Sequence, residues 1–439
     1  MAQPFACVVN LGCRVNRVES DRITADLSAA GFALVDEDAA DVVVINTCAV
    51  TGEAEAKTRK AVRHALNQSR EPIVIVTGCV VNLHPGELTD LSSRVIAEPS
   101  KIDVARRALE ALGMSGRDVS QSGDSHNLSD LLGCSRLGIK VQDGCNNRCS
   151  YCIVWKARGA ERSVPVESVL EQVRLAERAG IPEVVLTGIN LGAYDGVDAG
   201  DSHVEIDELV RIILEQTNIS QVRLSSLEPM DVSERLVDAM VAGGDRVAPF
   251  VHLPLQSGCT STLERMNRPY TADEYERGVA MIREKLPQVA VSCDIIAGFP
   301  GETDEEFAES LAFCERIGFS RMHVFRYSAR PGTPAAEAPD QVAPEVMAER
   351  GSALRRVAER TSQADARARI GSHENAVLEY GNRGTLGSFH RVIVDDAPQD
   401  ASGTLVRVAI TGMDERGLLH ARLVDADEQG SAALCGGAA

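Results

Sequence analysis

Apolar residues crowd into three short runs within the first eighty positions: "FACVVNLGC" (5–13), "ADVVVINTC" (40–48) and "EPIVIVTGC" (71–79). Each contains β-branched residues, is followed by turn signals and ends on a cysteine. Each therefore predicts a buried strand. The stretches between them, among them "ESDRITADLSAAG" and "EAEAKTRKAVRHAL", read as helices. The terminal cysteines lie 35 and 31 residues apart, a spacing that suits successive β-α units. Residues 1–112 are thus expected to form a small α/β domain with a mostly parallel sheet. "SGRDVSQSGDSHNLSD" (115–130) is aperiodic and rich in Ser, Gly and Asp, which places a linker at 113–134.

A second alternation runs from 135 to 341. Its strand candidates are "RLGIKVQ", "EVVLTG", "QVRLSS", "FVHLPL", "VAVSCDIIAGF" and "RMHVFRY", with helical stretches such as "VESVLEQVRLAERAG" between them. Six such units predict an open, partial (β/α)6 barrel, whose function sits at the carboxyl ends of its strands. Residues 342–370 read as a charged connecting helix, with five Arg against two acids over 351–370. Short β-like runs punctuated by glycine follow. They predict a small antiparallel β-barrel over 371–426 and leave a tail at 427–439, where Cys435 is incidental.

Composition narrows the class. The chain has 439 residues, 44% hydrophobic and 25% charged, enough for two to four globular domains. No apolar run is long enough to span a bilayer and no signal-type segment opens the chain, so a cytoplasmic setting is expected. Twelve cysteines in a chain of this kind suggest metal binding or chemistry rather than a disulfide scaffold. A net charge of -19 argues against a protein that coats nucleic acid non-specifically, though not against a local basic patch. Neither GxxxxGK[ST] nor G-x-G-x-x-G is present, which disfavours nucleotide hydrolysis and dinucleotide redox chemistry.

The sharpest chemical signal is "DGCNNRCSYCIVWKARG" (143–159). Cys145, Cys149 and Cys152 form C-x3-C-x2-C just beyond the first barrel strand. A structural zinc takes four ligands, usually from paired C-x2-C elements. Three thiolates at this spacing can instead hold three irons of a 4Fe–4S cubane and leave the fourth open to a ligand such as S-adenosylmethionine (SAM). A zinc knuckle with a distant fourth ligand, or three unrelated thiols, are the competing readings. Cys13, Cys48 and Cys79 each follow a predicted parallel strand, so they must converge on one sheet edge, where α/β folds bind ligands. Any one of them alone could be a core thiol. Cys7, Cys134, Cys259, Cys293 and Cys314 lack such placement and are read as structural.

At these residues the chain resembles the radical SAM superfamily and, within it, the methylthiotransferases. The match is carried by "LGCRVN", "INTCAVT", "TGCVV", "QDGCNNRCSYCIV" and "TGINLGAY", and it covers nearly the whole length. The resemblance implies an N-terminal methylthiotransferase domain whose Cys13, Cys48 and Cys79 hold a second, auxiliary 4Fe–4S cluster. It implies a radical SAM core in which SAM binds the cluster of Cys145, Cys149 and Cys152 and is split to a deoxyadenosyl radical. It also implies a C-terminal TRAM domain. Gly188 and Asn190 are expected at the methionine end of SAM, Ser226 and Glu228 near its ribose and methionine, Gln256 in the mouth, and Ile296 and Gly298 on the adenine. No acid–base residue is identified.

Three branches of the family modify isopentenyladenosine in tRNA, threonylcarbamoyladenosine at tRNA position 37, or an aspartate of a ribosomal protein. Arg14-Val15 after the first cysteine resembles the threonylcarbamoyladenosine branch. The implied partners are tRNA and an electron donor of the flavodoxin or ferredoxin class, with no membrane. Two features leave room for alternatives. Trp155-Lys156 stands where the family commonly has Pro followed by an aromatic residue. The last barrel holds five Arg and eight acids over 371–425, so its RNA grip would rest on Arg383, Arg391 and Arg407 with Tyr380 and Phe389. Arg158 and Arg162, flanking the cysteine loop, are candidates for SAM or RNA phosphate. The other two branches are the rival functions. A non-catalytic, metal-containing RNA-binding protein is the rival from another class.

Overall fold

The computed structural model describes residues 3–114 and 134–424. Residues 115–133 of the expected linker, and the expected tail with Cys435, lie outside them.

The N-terminal sheet comprises β1 (Phe5–Asn10), β2 (Ala33–Leu34), β3 (Val42–Thr47), β4 (Ile73–Gly78) and β5 (Val95–Ala97), in the order β2-β1-β3-β4-β5. All pairs are parallel. Around it lie α1 (Arg14–Ala29), α2 (Gly52–Leu66), α3 (Cys79–Leu83), α4 (Pro85–Thr89) and α5 (Val104–Ala111). The alternation along β3 explains the two-sided core. Val42 and Val44 pack with Ile23 and Leu27 of α1 and with α5, while Val43 and Ile45 face α2 and α3. Helix α1 starts at Arg14, directly after Cys13, earlier than its apolar pattern suggests. Helix α2 starts where Thr51 accepts from the Ala54 amide (3.2 Å), with Glu53 and Glu55 favourably placed in its first turn.

The central unit contains β6 (Arg136–Lys140), β7 (Gln142–Asp143), α6 (Val154–Arg158), β8 (Arg162–Ser163), α7 (Val166–Arg178) and β9 (Glu183–Thr187). It continues with β10 (Asp195–Val197), β11 (His203–Glu205), α8 (Ile206–Gln216), β12 (Gln221–Leu224), α9 (Glu234–Gly243) and β13 (Phe250–His252). Then come α10 (Thr260–Arg265), α11 (Ala272–Lys285), β14 (Ala290–Ala297), α12 (Asp304–Ile317) and β15 (Arg321–Arg326). Strands β6, β9 and β12 form one parallel set and β13, β14 and β15 another. Lone parallel bridges, Val222–Val247 and Ser226–His252, join the two. Strands β6 and β15 do not pair with each other, so the barrel is open and six-stranded, as the alternation predicts.

Helix α13 (Pro344–Ala368) packs along β14 and β15 and leads to a closed barrel of β16 (His373–Tyr380), β17 (Arg383–Leu386), β18 (Arg391–Val394), β19 (Leu405–Met413) and β20 (Leu419–Leu423). One feature departs from the expected antiparallel pattern. Strand β19 crosses to pair with β16, β20 turns back beside it, and two reversals leave β20 parallel to its other neighbour, β18. No helix among the described residues is long and apolar enough to cross a membrane.

Candidate active site

The cysteine loop leaves the carboxyl end of β6 and β7. Gly144 has φ +75°, and a Cβ there would lie 2.0 Å from the Ala160 carbonyl oxygen, so only glycine lets the arms of the loop close. All three sulfurs receive a donor. The Asn147 amide reaches Cys145 Sγ (3.5 Å), the Val154 amide Cys152 Sγ (3.4 Å) and Arg268 Nη1 Cys149 Sγ (3.1 Å). Burial, reinforced by the neighbouring thiols, pushes Cys145 up to about 11 and Cys152 to about 12. Such thiols stay protonated at neutral pH unless a metal displaces the proton. Among the described residues, only His252, Asp294 and His323 bring three potential ligand atoms within 4.8 Å of one another; neither cysteine triad does. That spacing does not suit a single zinc ion. Three thiols on one short loop, each with a donor, are the ligand set that a 4Fe–4S cubane with one open iron takes.

Beside this loop, Gln142 does a job the sequence did not reveal. Its Oε1 accepts from the amides of Ile189 (3.0 Å) and Asn190 (2.9 Å), and its Nε2 donates to the Gly144 carbonyl (3.0 Å). It thereby ties the turn after β9 to the cysteine loop. Gly188 keeps that contact close, since a Cβ there would lie 3.0 Å from Gln142 and push it back by a few tenths of an ångström. Asn190 Nδ2 donates to Glu161 (3.3 Å), which also holds Asn146. Glu228 pairs with Arg268, so the end of β12 reaches Cys149 through one guanidinium. Four buried polar atoms here lack a hydrogen-bond partner: Asn147 Nδ2, Asn190 Oδ1, Ser225 Oγ and Asp231 Oδ2. Asp231 is raised to about 6, by burial first and then by Glu228 and Glu161. Orphaned donors and acceptors beside three carboxylates fit a cationic ligand with several polar groups, which describes SAM.

The other predicted positions are more scattered. Ser226 bridges to His252. Gln256, at φ +65°, hydrogen-bonds through its backbone to Asp294 and Ile296. Ile296 packs in a small apolar cluster with Tyr151 and Met347. Gly298 faces Met347 of α13, and its amide donates to Glu302 (2.9 Å).

The second triad lies where three adjacent parallel strands end. Cys13 follows β1, Cys48 follows β3 and Cys79 opens α3 after β4. Gly12 makes room, for a Cβ there would sit 3.0 Å from Cys48 Sγ. Burial pushes the Cys48 thiol up to about 11, and Cys13 and Cys79 add to the effect. Ile153, at the N-cap of α6, and Ala157, one turn later in it, pack into the same core as Cys79 and Val80. Asn82 Nδ2 holds the Ala157 carbonyl (2.9 Å). Helix α6 therefore runs from the first triad directly onto the second.

Residues 139–314 match the radical SAM superfamily, and residues 6–97 match a family described as uncharacterized protein family UPF0004. The threonylcarbamoyladenosine tRNA methylthiotransferase MtaB of Thermotoga maritima is 32% identical over 94% of this chain and 96% of that protein. The chain belongs to the radical SAM methylthiotransferases. The tRNA-2-methylthio-N(6)-dimethylallyladenosine synthase of Acetivibrio thermocellus is 33% identical over 81% of this chain and 77% of that protein. In fold, the chain is similar to the radical S-adenosylmethionine methyltransferase TsrM of Kitasatospora setae, with a TM-score of 0.55 and 16% identity over 76% of this chain and 75% of that one. Membership implies a 4Fe–4S cluster and SAM.

Several side chains take places other than those expected. Arg158 is not a surface arginine. Its side chain is 3% exposed and bound to Glu19, Asp143 and Asn16, so no RNA phosphate reaches it. Arg162 is exposed but pairs with Asp143 (2.7 Å). Trp155 stacks under Arg148, 4.1 Å from its ring centroid, and Lys156 is tied to the Gly332 carbonyl. In the last barrel, Arg391 pairs with Glu379 and Arg407 with Asp245, while Phe389 points into the central unit against Phe250. Of the expected RNA patch, only Arg383 and Tyr380 stand free on the surface. Sequence reading also missed His252, Asp294 and His323. Their strands are consecutive, but no local pattern links them. Asp294 lies 3.0 Å from His323 Nδ1 and 3.6 Å from His252 Nε2.

Proposed function

We propose that the protein adds a methylthio group to C2 of N6-threonylcarbamoyladenosine at position 37 of tRNA. The observation that carries this reading is the pair of sulfur triads joined through α6, one on the cysteine loop and one at the N-terminal sheet edge. The near-full-length likeness to the Thermotoga maritima protein supports the choice of nucleoside. We assign Cys145, Cys149 and Cys152 to the 4Fe–4S cluster that takes SAM, and Cys13, Cys48 and Cys79 to an auxiliary 4Fe–4S cluster. When bound, these groups supply the reductive cleavage of SAM and the sulfur that is inserted.

The chain's own residues do the positioning. Gln142 fixes the turn that carries Gly188 and Asn190 against the cysteine loop. Glu228, Glu161 and Asp231 present negative charge to a sulfonium and an ammonium, while Asn190 Oδ1 and Ser225 Oγ offer unfilled hydrogen bonds. Ser226, Gln256, Ile296 and Gly298 belong to the neighbouring strand ends and are assigned to the same pocket. Residues 1–112 carry the auxiliary triad, 135–341 the SAM site and 371–426 a TRAM-like barrel, with 342–370 connecting the last two. An electron donor of the flavodoxin or ferredoxin class and a cytoplasmic setting complete the proposal. Mass spectrometry of tRNA nucleosides from cells with and without the gene tests it. Deletion is expected to remove the methylthio group from threonylcarbamoyladenosine alone. Its loss from isopentenyl-type nucleosides or from a ribosomal protein instead would reassign the substrate.

A further inference from the structure

His252, Asp294 and His323 stand on β13, β14 and β15, three neighbouring parallel strands of the central unit. All three side chains turn the same way. Val251, Leu253, Cys293, Ile295 and Met322 pack into the core between strands and helices, so the residues that alternate with them face the barrel interior. There the two imidazoles flank one carboxylate oxygen. Asp294 Oδ1 lies 3.0 Å from His323 Nδ1 and 3.6 Å from His252 Nε2. One potential ligand atom from each residue lies within 4.8 Å of the other two. The side chains of His252, Asp294 and His323 are 9%, 28% and 42% exposed, so a small solute can reach the carboxylate while His252 forms a fixed wall behind it.

Hydrogen bonding accounts for only one of these two contacts. The 3.0 Å separation is a hydrogen bond, and the 3.6 Å separation is too long for one. The tautomer of His252 sharpens the point. The Ser292 hydroxyl donates its single proton to the Val251 carbonyl (3.5 Å), so it accepts from His252 Nδ1 (2.8 Å). Nδ1 is then the protonated nitrogen, and Nε2 turns a lone pair toward a carboxylate oxygen. Two electron-rich atoms held face to face call for a cation between them. Neighbouring ligands of a divalent ion, with bonds of about 2.0–2.2 Å, stand roughly 2.9–3.6 Å apart, which covers both separations. Two imidazoles and a carboxylate form a donor set that takes divalent transition metals and leaves coordination positions open. The bond from His252 to Ser292 is the outer contact that orients a ligating imidazole.

We propose that His252 Nε2, an Asp294 carboxylate oxygen and His323 Nδ1 bind one divalent transition-metal ion, separate from both iron–sulfur clusters. The ion ties β13, β14 and β15 together from inside the barrel, in the half that meets the other strands through lone bridges. One of those bridges joins His252 to Ser226, two residues before Glu228, so the ion's open positions face the interior next to the strand ends that carry the SAM site.

The test uses the full-length protein, without SAM, with its clusters reconstituted and held in their oxidised, EPR-silent state. Metal analysis counts resident ions, and manganese(II), which prefers oxygen and nitrogen ligands to thiolates, is then titrated in and the free ion read by EPR. The wild type should hold about one divalent ion per chain beyond about eight cluster irons, either resident or taken up as manganese(II). His323→Ala and Asp294→Asn should each weaken that binding at least about tenfold, and Ser292→Ala, which removes only the orienting hydroxyl, by about tenfold. His203→Ala, at an exposed His–Asp pair (2.7 Å) elsewhere, should leave it unchanged. Pulsed EPR of the wild type, with any resident ion exchanged for manganese(II), should show coupling to imidazole nitrogen, a reading that needs no variant to fold. The proposal is overturned if the wild type neither holds nor takes up such an ion. It is also overturned if the folded variants bind it as the wild type does, or if the bound manganese(II) shows no imidazole nitrogen.

Discussion

Replacing Glu19 should cost more than replacing the arginine it holds. Glu19 is 5% exposed and takes four bonds from three cations: Arg158 Nη1 (2.9 Å) and Nη2 (3.1 Å), Lys140 (2.8 Å) and Lys101 (2.7 Å). Glu19→Ala leaves those cations facing one another, with Asp143 as the remaining carboxylate, itself shared with Arg162. Breaking a buried charge pair from one side costs roughly 3–5 kcal/mol. Lys101 and Lys140 are 20% and 28% exposed and can turn to water, so the lower end, about 3 kcal/mol, applies. Arg158→Met is different. Glu19 keeps both lysines, Asp143 keeps Lys140 and Arg162, and a methionine fills the space, so about 1–2 kcal/mol is expected for the lost hydrogen bonds. Unfolding in denaturant, under anaerobic conditions, with hydrogen exchange read over α1 and α6, measures both. The pH dependence follows from the same geometry. Burial alone would raise the Glu19 carboxyl, but Arg158, Lys101 and Lys140 hold it well below the usual range. Its contribution is therefore fully present above the unfolded value near 4.3 and is lost only as pH falls below that toward the depressed folded value. The gap between wild type and Glu19→Ala should be flat from about pH 5 to 8. If Arg158→Met costs as much as Glu19→Ala, or the gap narrows across that range, the charge count is wrong.

Two further outcomes follow from the site. Changing Cys145, Cys149 and Cys152 to Ala should abolish SAM cleavage. The Cys13/Cys48/Cys79 triple Ala variant should fall from about eight irons to about four, still cleave SAM and insert no sulfur; product from that variant, once shown to be folded, would reduce those cysteines to core thiols. Asp231 is raised to about 6, so it loses its charge below that pH, and wild-type affinity for SAM should weaken there. Equilibrium dialysis should give a flatter profile for Asp231→Asn, and an unchanged profile would remove Asp231 from the SAM site.

What the sequence made legible was local. Strand-end cysteines could be found because a buried parallel strand announces itself by apolar content and length, and the residue after it has one place to go. The six central strands and the last barrel follow from the same periodicities. Partners across the chain carried no such signature. Arg158 and Glu19 are 139 residues apart, and nothing around "KARG" marks its arginine as buried. Phe389 looked like a stacking residue on an RNA surface because its ring chemistry is the same in a wedge. The parallel β18–β20 pair depends on which gap the final hairpin fills, and strand patterning does not encode that.

The two triads sit in opposite electrostatic fields. Arg158 and Lys101 both feel the thiol of Cys79, and Arg330 feels that of Cys48. All three are also held by carboxylates, Arg158 and Lys101 by Glu19 and Arg330 by Glu55, so they offset only part of any negative charge gathered at the N-terminal triad. The cysteine loop is set the other way. Cys145 faces Glu228 and Glu161, and Asp231 stands beside them, while Arg268, paired with Glu228, also donates to Cys149. That surround disfavours an extra electron and favours a cationic ligand, so binding a sulfonium there offsets the field that reduction must oppose. Cations beside one triad suit sulfur delivery and carboxylates beside the other suit SAM. Arg158, at the end of α6, holds the two neighbourhoods together through the same buried bonds that fix α1.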